Sequence, residues 1–376
     1  MEVRQVQCVG LDDPAVRELA ALRPSLVLVF ADISILDAAG AHRQLRSLFP
    51  DAALAGCSTA GEITSNGVSS GTCVITAIRF ARTGVRVAET DLPAMEQSAA
   101  AGARLGRLLA ASDLRAVLLF GKGVSVNGSA LIAGLSAAVG AQVPISGGLA
   151  GDGGAFVATA TVMPSAIAAD GAVAVGLYGD AIRVGHGSVG GWRPFGPPRR
   201  VTRAAGNILY ELDGQPALDL YRRYLGEYAR ELPASGLLFP FEMLDAEHRS
   251  VGLIRTILGV DAASGALVLA GDIDATGYLR LMHASRESLV EGALLAARRA
   301  WGGPGNPGLA LLVSCVGRKL VMGDGVDEEV EVVSGTLGGN VPLAGFYSYG
   351  EIAPFLSGTD CRLHNQTMTV TCLAEV

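Results

Sequence analysis

The chain has 376 residues, half of them hydrophobic, with a formal net charge of -7 at pH 7 and a pI near 5.3. Its length exceeds what one ordinary hydrophobic core supports, and the acidic balance excludes the clustered Lys/Arg footprint of a nucleic-acid binder. The apolar runs, such as 26–30, are strand-sized rather than membrane-spanning, no secretory signal opens the sequence, and six cysteines (8, 57, 73, 315, 361, 372) lack CxxC spacing, so a soluble cytoplasmic protein with reduced thiols and no zinc clip is expected.

In chain order, Asp12-Asp13-Pro14 predicts a helix start, with a capping carboxylate and Pro in the first turn. Residues 25–30 read as a strand covered on both faces, followed by a helix over 36–48 and a stop at Pro50. A corner, Leu54-Ala55-Gly56-Cys57-Ser58-Thr59-Ala60-Gly61-Glu62-Ile63, then leads into strands 72–80 and 85–89. A second unit repeats the order with helix 97–111, strand 116–120, helix 129–139, a corner from Pro144 to Asp152, and strands 155–162 and 172–178. Its Gly-rich loop, residues 121–128, has Lys122 in the wrong place for GxxxxGK[ST], which favours a solvated turn over a phosphate cradle. Residues 185–190 match GxGxxG literally, but the Gly/Pro-rich run after them cannot open the helix that a dinucleotide site needs. We therefore read 187–200 as a crossing between units. Beyond it come short strands at 201–203 and 207–212, a helix started by Asp213-Gly214-Gln215-Pro216, strands 250–257 and 265–270, and a long helix over 285–301. The first pattern then returns as strand 308–315, a broken helix over 324–337, a corner after Pro342 and a final strand over 367–373. The fold class expected is α/β, with two halves, repeated strand-helix-strand units ending in Gly-acid corners, and mixed sheets.

The last corner, Leu343-Ala344-Gly345-Phe346-Tyr347-Ser348-Tyr349-Gly350-Glu351-Ile352, is identical to the first at six of ten positions. The middle one, with Gly147, Gly148 and Asp152, is a weaker version. Small residues there allow close backbone approach, to a ligand or to other backbone. A carboxylate withdrawn from water needs an internal donor or a cation, so Glu62 and Glu351 either cap their own corners or receive the ammonium of an amino-acid ligand. In the second reading glycine amides hold the ligand carboxylate, and Cys57, Ser58, Thr59, Gly61, Gly147, Gly148, Asp152, Tyr347, Ser348 and Tyr349 complete the site. No GxSxG elbow occurs and no base is identifiable beside Cys57 or Ser58, so a Cys or Ser hydrolase is the disfavoured alternative and no enzyme activity is expected.

The first corner, the block from Val201-Thr202-Arg203 through Glu211-Leu212-Asp213-Gly214-Gln215-Pro216-Ala217 to Tyr221, and the last corner with Leu363-His364-Asn365-Gln366-Thr367-Met368-Thr369 together resemble FIST-domain proteins. The resemblance implies an N-terminal-type domain over 1–200 and a C-terminal-type domain over 201–376. It also implies an intracellular sensory module for small ligands such as amino acids. With no kinase, cyclase or membrane segment attached, output would pass through a separate partner such as a histidine kinase. One branch of the family resembles haem-binding nitric oxide sensors, for which an axial ligand must come from the histidines. His364, expected to share a face of the last strand with Gln366 and Met368, is the first candidate and His186, among glycines, the second; His42 and His248 read as surface positions.

Overall fold

The apolar runs form strands wherever β-branched and leucine residues are bounded by turn residues, and the strand-helix-strand unit occurs three times. The computed structural model describes residues 1–303, 305–354 and 361–376. Unit one holds β1 (Glu2–Cys8), α1 (Pro14–Leu19), β2 (Leu26–Ala31), α2 (Ile33–Leu36), α3 (Ala41–Leu48), β3 (Ala53–Ser58), β4 (Glu62–Thr64), β5 (Gly67–Ser69) and β6 (Cys73–Arg79). Unit two holds β7 (Gly84–Asp91), α4 (Ser98–Leu109), β8 (Leu114–Gly121), α5 (Gly128–Val139), β9 (Ile145–Leu149), β10 (Thr161–Val162), β11 (Ile167–Ala168) and β12 (Gly171–Tyr178). Unit three begins with β13 (Ile182–Val189). It is interrupted by an antiparallel layer of β14 (Arg193–Pro194), β15 (Arg199–Ala205), β16 (Ile208–Leu212), β17 (Gln215–Pro216), α6 (Ala217–Leu225), β18 (Phe241–Leu244), β19 (Ser250–Arg255), β20 (Ile257–Asp261), β21 (Ala266–Leu269) and β22 (Tyr278–His283). It resumes with α7 (Arg286–Ala300), β23 (Leu309–Cys315), α8 (Val316–Met322), α9 (Asp327–Thr336), β24 (Leu343–Ser348), β25 (Gly350–Pro354), β26 (Cys361–His364) and β27 (Met368–Glu375).

The units exchange hairpins in a cycle. The three six-stranded sheets run β1-β6-β2-β3-β10-β11, β7-β12-β8-β9-β25-β26 and β13-β27-β23-β24-β4-β5. Each sheet thus takes four strands from its own unit and a hairpin from another: unit two lends to one, three to two, and one to three. In each, the helix-linked pair is parallel, as in β2 with β3, β8 with β9 and β23 with β24. Inner faces of all three sheets meet in one core, where Phe30, Phe120 and Phe346, one from each unit, place their ring centroids 4.7, 5.4 and 6.1 Å apart. The second strand of each parallel pair carries a glycine that no other residue could replace without movement. A Cβ on Gly56, Gly147 or Gly345 would lie 1.9, 2.0 or 2.0 Å from the carbonyl oxygen of Val29, Leu119 or Leu312 on the neighbouring strand.

Several boundaries differ from the sequence reading. The strand expected over 155–162 is only Thr161–Val162, because the Asp152 carboxylate accepts the backbone N–H of Phe156, Val157 and Ala158 and wraps that stretch into a loop. The crossing expected from 187 begins later, since β13 continues to Val189. The helix expected over 36–48 is two helices with a Gly40 N-cap between them. The broken helix expected over 324–337 is α9, and α8 ahead of it was not anticipated. His364 is not on the final strand: it ends β26, and Asn365–Thr367 turn back before β27, with Gln366 at φ 64. A division at residue 200 falls within β15, yet the third sheet joins β4, β5 and β13 to β23, β24 and β27 across it.

Candidate functional site

The repeated Gly-acid corners are brought together, but as a joint. Corner one meets corner three through Ala60 N–H to Tyr347 O and Tyr347 N–H to Gly61 O, both 2.8 Å. It meets corner two through Gly151 N–H to Ser58 O at 2.9 Å and Gly153 N–H to Thr59 O at 3.1 Å, and the Ser58 hydroxyl donates to Gly151 O at 2.7 Å. Corner three meets corner two through Tyr349 N–H to Leu149 O at 3.2 Å. The close approach that the glycines permit is therefore of backbone to backbone. A Cβ on Gly151 would lie 2.7 Å from the Ala60 nitrogen, and one on Gly148 2.7 Å from a Val313 methyl.

The two glutamates repeat one arrangement. Glu62 accepts the Thr59 hydroxyl on one oxygen and both the N–H and hydroxyl of Thr72 on the other. Glu351 accepts the Ser348 hydroxyl at 2.8 Å and the N–H and hydroxyl of Thr367 at 3.1 and 3.0 Å. Each carboxylate ties its corner to the residue before the unit's last long strand, and neither is open to solvent. Burial pushes the Glu351 carboxyl up to about 7 and raises that of Glu62, against the pull of these donors. Tyr347 is likewise committed: its hydroxyl donates to Glu329, which also takes the Ser314 hydroxyl and pairs with fully buried Arg318 at 2.7 Å. Cys57 is sealed in the core, and burial pushes its thiol pKa well up, the opposite of what a nucleophile needs.

An open site lies beside unit two, where the antiparallel layer roofs helix α5. Two lobes meet at Asp272 and Leu363, which line both. The wide lobe, about 480 Å³, runs along one face of α5 through Ser129, Ala133, Ser136 and Ala137 to Gly140, and is closed opposite by Leu253, Arg255 and Arg362. The narrow lobe, about 310 Å³, lies at the start of α5 beside residues 123–128, with Leu149, Phe156, Leu258, Val268 and Tyr349 around it and Asn127 and Asn207 as polar points. The Asn127 side chain caps α5 by accepting Ala130 N–H at 2.9 Å. Tyr349 stacks on Phe156 with centroids 3.9 Å apart, and its hydroxyl donates to Asp152. Of the residues singled out in sequence, Tyr349 reaches this cleft directly and Asp152 holds its hydroxyl.

Arg255 dominates the electrostatics. It is 4% exposed, and its Nε–H donates to Asp272 O at 3.0 Å while Nη1 donates to Ile254 O at 3.2 Å and Leu363 O at 3.4 Å. Burial pushes its pKa down to about 10, so it remains a cation at neutral pH; the Asp272 carboxylate opposes that shift and the Arg362 guanidinium adds to it. The guanidinium packs against Gly271, where a Cβ would lie 3.0 Å from Nε.

The histidines do not fit a haem site. The Nε2 of His364 is bonded to Ala353 O at 3.1 Å in the core. His186 is half-buried on the edge strand β13, with Nδ1 3.4 Å from the Thr371 hydroxyl; burial pushes its pKa down to about 4, and neither histidine lines the cleft. His42 bonds Pro164 O through Nε2 at 3.1 Å, and His248 is exposed against Tyr278. Among the described residues no group of three or more His, Cys, Asp or Glu side chains could hold a metal ion, and no helix is long and apolar enough to cross a membrane.

The FIST N domain model matches residues 25–215 and the FIST C domain model matches residues 217–354. The chain belongs to the FIST family. FIST domains are associated with sensory signalling. This FIST chain is 33% identical over 173 residues to an uncharacterized protein of Mycobacterium tuberculosis, covering 44% of each. It is 30% identical over 192 residues to one of Mycobacterium bovis, covering 49% of each, and 35% identical over 92 residues to one of Methanocaldococcus jannaschii, covering 23% of this chain and 17% of that protein. The chain thus spans less than half the length of these relatives in each match. Among solved structures, a cyanuric acid hydrolase from A. caulinodans is similar at a TM-score of 0.36 and 9% identity, covering 100% of this chain and 98% of that one.

Reading the sequence of this FIST protein missed Arg255, Asp272, Leu258 and the outer face of α5. They come from separate segments and share no motif. Two signals were available: Arg255 stands among apolar strand residues, and the solvent side of α5 carries Ser and Ala where an exposed helix ordinarily carries Lys and Glu.

Proposed function

We propose that this FIST protein is a small-ligand sensor whose ligand occupies the two-lobed cleft, and that it acts by binding, passing its output to a separate signalling protein such as a histidine kinase. The observation that carries the reading is the buried Arg255 cation, hydrogen-bonded to three backbone carbonyls at the wall of a cavity of about 480 Å³. Ligand cavities are concave, largely apolar and supplied with a few placed polar groups, and this cleft has that make-up. An amino acid remains within the proposed ligand class, with Arg255 for its carboxylate and Asp272 for its ammonium in place of Glu62 and Glu351, whose oxygens are already occupied.

The test is a thermal-shift screen of amino acids, peptides and organic acids against the parent and Ala133→Trp, which fills the wide lobe from an exposed helix position. A ligand present at a hundred times its Kd stabilises a protein by about 2.7 kcal/mol. The reading expects at least one class to raise the melting temperature of the parent and to leave Ala133→Trp unshifted. Equal shifts in both proteins would place the ligand elsewhere. With a ligand in hand, its effect on autophosphorylation of a co-purifying kinase tests the output step.

A further inference from the structure

We infer that the cleft takes a short peptide with a free C-terminal carboxylate, which Arg255 binds in the wide lobe while an apolar side chain enters the narrow one. This rests on the reading that the cleft is the ligand site, and it narrows the ligand beyond a free amino acid.

The head group follows from Arg255. Nε and Nη1 are spent on three carbonyls, while Nη2 has no acceptor among the described residues and is not sealed from the cavity that the side chain lines. A guanidinium this deeply buried with no carboxylate hydrogen-bonded to it is costly, and a ligand carboxylate offsets that cost through charge-assisted, fork-shaped hydrogen bonds. Arg362, on the adjacent β26, adds a second cation to the same lobe.

The length follows from α5. The cleft tracks this 12-residue helix from Gly128 to the turn at Gly140. Such a helix is about 18 Å long, the reach of roughly five extended residues. A single amino acid fills little of two lobes of about 480 and 310 Å³, since even a water takes about 30 Å³ in the liquid. The small side chains of Ala133, Ser136 and Ala137 leave room for a backbone to lie against the helix.

The choice of a peptide over an alkyl carboxylate follows from the junction. Asp272, an exposed residue, stands between the lobes, where a hydrocarbon chain would take water from its carboxylate and return no hydrogen bond, and a second anionic group would be repelled. A peptide N–H or terminal ammonium satisfies it. Beyond Asp272, Leu258 and Val268 with the Phe156–Tyr349 stack receive the apolar side chain.

The experiment is isothermal titration at pH 7 with leucylalanine, its C-terminal amide and free leucine, on the parent, Arg255→Lys, Arg362→Gln and Ala133→Trp, each first shown to unfold cooperatively. The dipeptide is expected to bind the parent. The amide and free leucine are each expected to bind at least about tenfold more weakly, Arg255→Lys to lose about tenfold through the lost fork, and exposed Arg362→Gln to lose roughly threefold. Arg362→Gln keeps the test decisive if the buried Arg255 variant fails to fold. Equal affinity for acid and amide, or unchanged affinity in both arginine variants, overturns the carboxylate assignment. Free leucine binding as tightly as the dipeptide, with loss in Ala133→Trp, overturns the peptide and leaves the cleft standing. No binding of the dipeptide to the parent also overturns the peptide. Binding that survives Ala133→Trp overturns the cleft reading itself.

Discussion

Replacing Glu351 by Gln should stabilise the protein above neutral pH and leave it unchanged in acid. The Glu351 carboxyl is fully enclosed, and burial raises it from 4.5 to about 7 in the fold. The folded chain therefore keeps a proton that the unfolded chain has lost, so this group's contribution to stability is complete below about 4.5 and is lost as pH rises through about 7. Those limits are about 2.5 pH units apart, and at ~1.36 kcal/mol per unit the cost of ionising Glu351 in place is about 3 kcal/mol. Gln has the shape of the protonated acid. Its oxygen can accept the Thr367 N–H and hydroxyl, and its amide can donate to the Ser348 hydroxyl, which rotates to suit. Urea midpoints for parent and Glu351→Gln at pH 4, 5, 6, 7 and 8 should give a difference near zero at pH 4 that grows to about 3 kcal/mol at pH 8. The difference is the useful quantity. His186 and His364, each pushed down to about 4, lose stability as pH falls and tilt the parent's own profile the other way. A difference that stayed flat with pH would refute the reasoning, by showing that the three donors around Glu351 hold it ionised throughout.

Two further outcomes test the joint and the histidines. Gly147→Ala should cost on the order of 3 kcal/mol or abolish folding, because its Cβ would lie 2.0 Å from Leu119 O; Gly40→Ala, with nothing within 4 Å at φ +87, should cost only the backbone strain, about 1 kcal/mol, and comparable urea midpoints for the two would contradict the packing argument. Titration with ferric haem should give no histidine-ligated Soret band, since Nε2 of His364 is held by Ala353 O; a band lost in His364→Ala would overturn that assignment.

The fold was legible where the chain repeats itself and the site was hidden where it does not. Gly56, Gly147 and Gly345 announced three equivalent strands, and the Gly-acid pairs announced close approach, because both demands are local to a few residues. What the corners approach is a matter of tertiary exchange: Ser58 meets Gly151 and Ala60 meets Tyr347 across sheets whose hairpins come from another unit. Sequence shows that Glu62 and Glu351 lie beside hydroxyl residues, but the donors Thr72 and Thr367 stand 10 and 16 positions away. The placement of His364 failed for a related reason, since a three-residue turn separates β26 from β27 and reverses the alternation assumed through it. Arg255 and Asp272 could be brought to α5 only by the inserted antiparallel layer, and no spacing in the chain encodes that contact.

The hairpin exchange also bears on how a bound ligand could be felt at a distance. The wall of the cleft that carries Arg362 and Leu363 is β26, a strand of unit three paired into the sheet of unit two through β25. Its last residue, His364, pairs in register with Glu351, and Glu351 in turn holds Ser348 in the third corner and Thr367 at the head of β27. A ligand that displaces β26 therefore works against a buried carboxylate with three donors and, through it, against the joint where the corners meet. Packed interiors resist graded deformation and favour discrete rearrangement. The second and third corners each give one residue, Leu149 and Tyr349, to the narrow lobe, so the joint is placed where an event in the cleft would be converted into a shift between units.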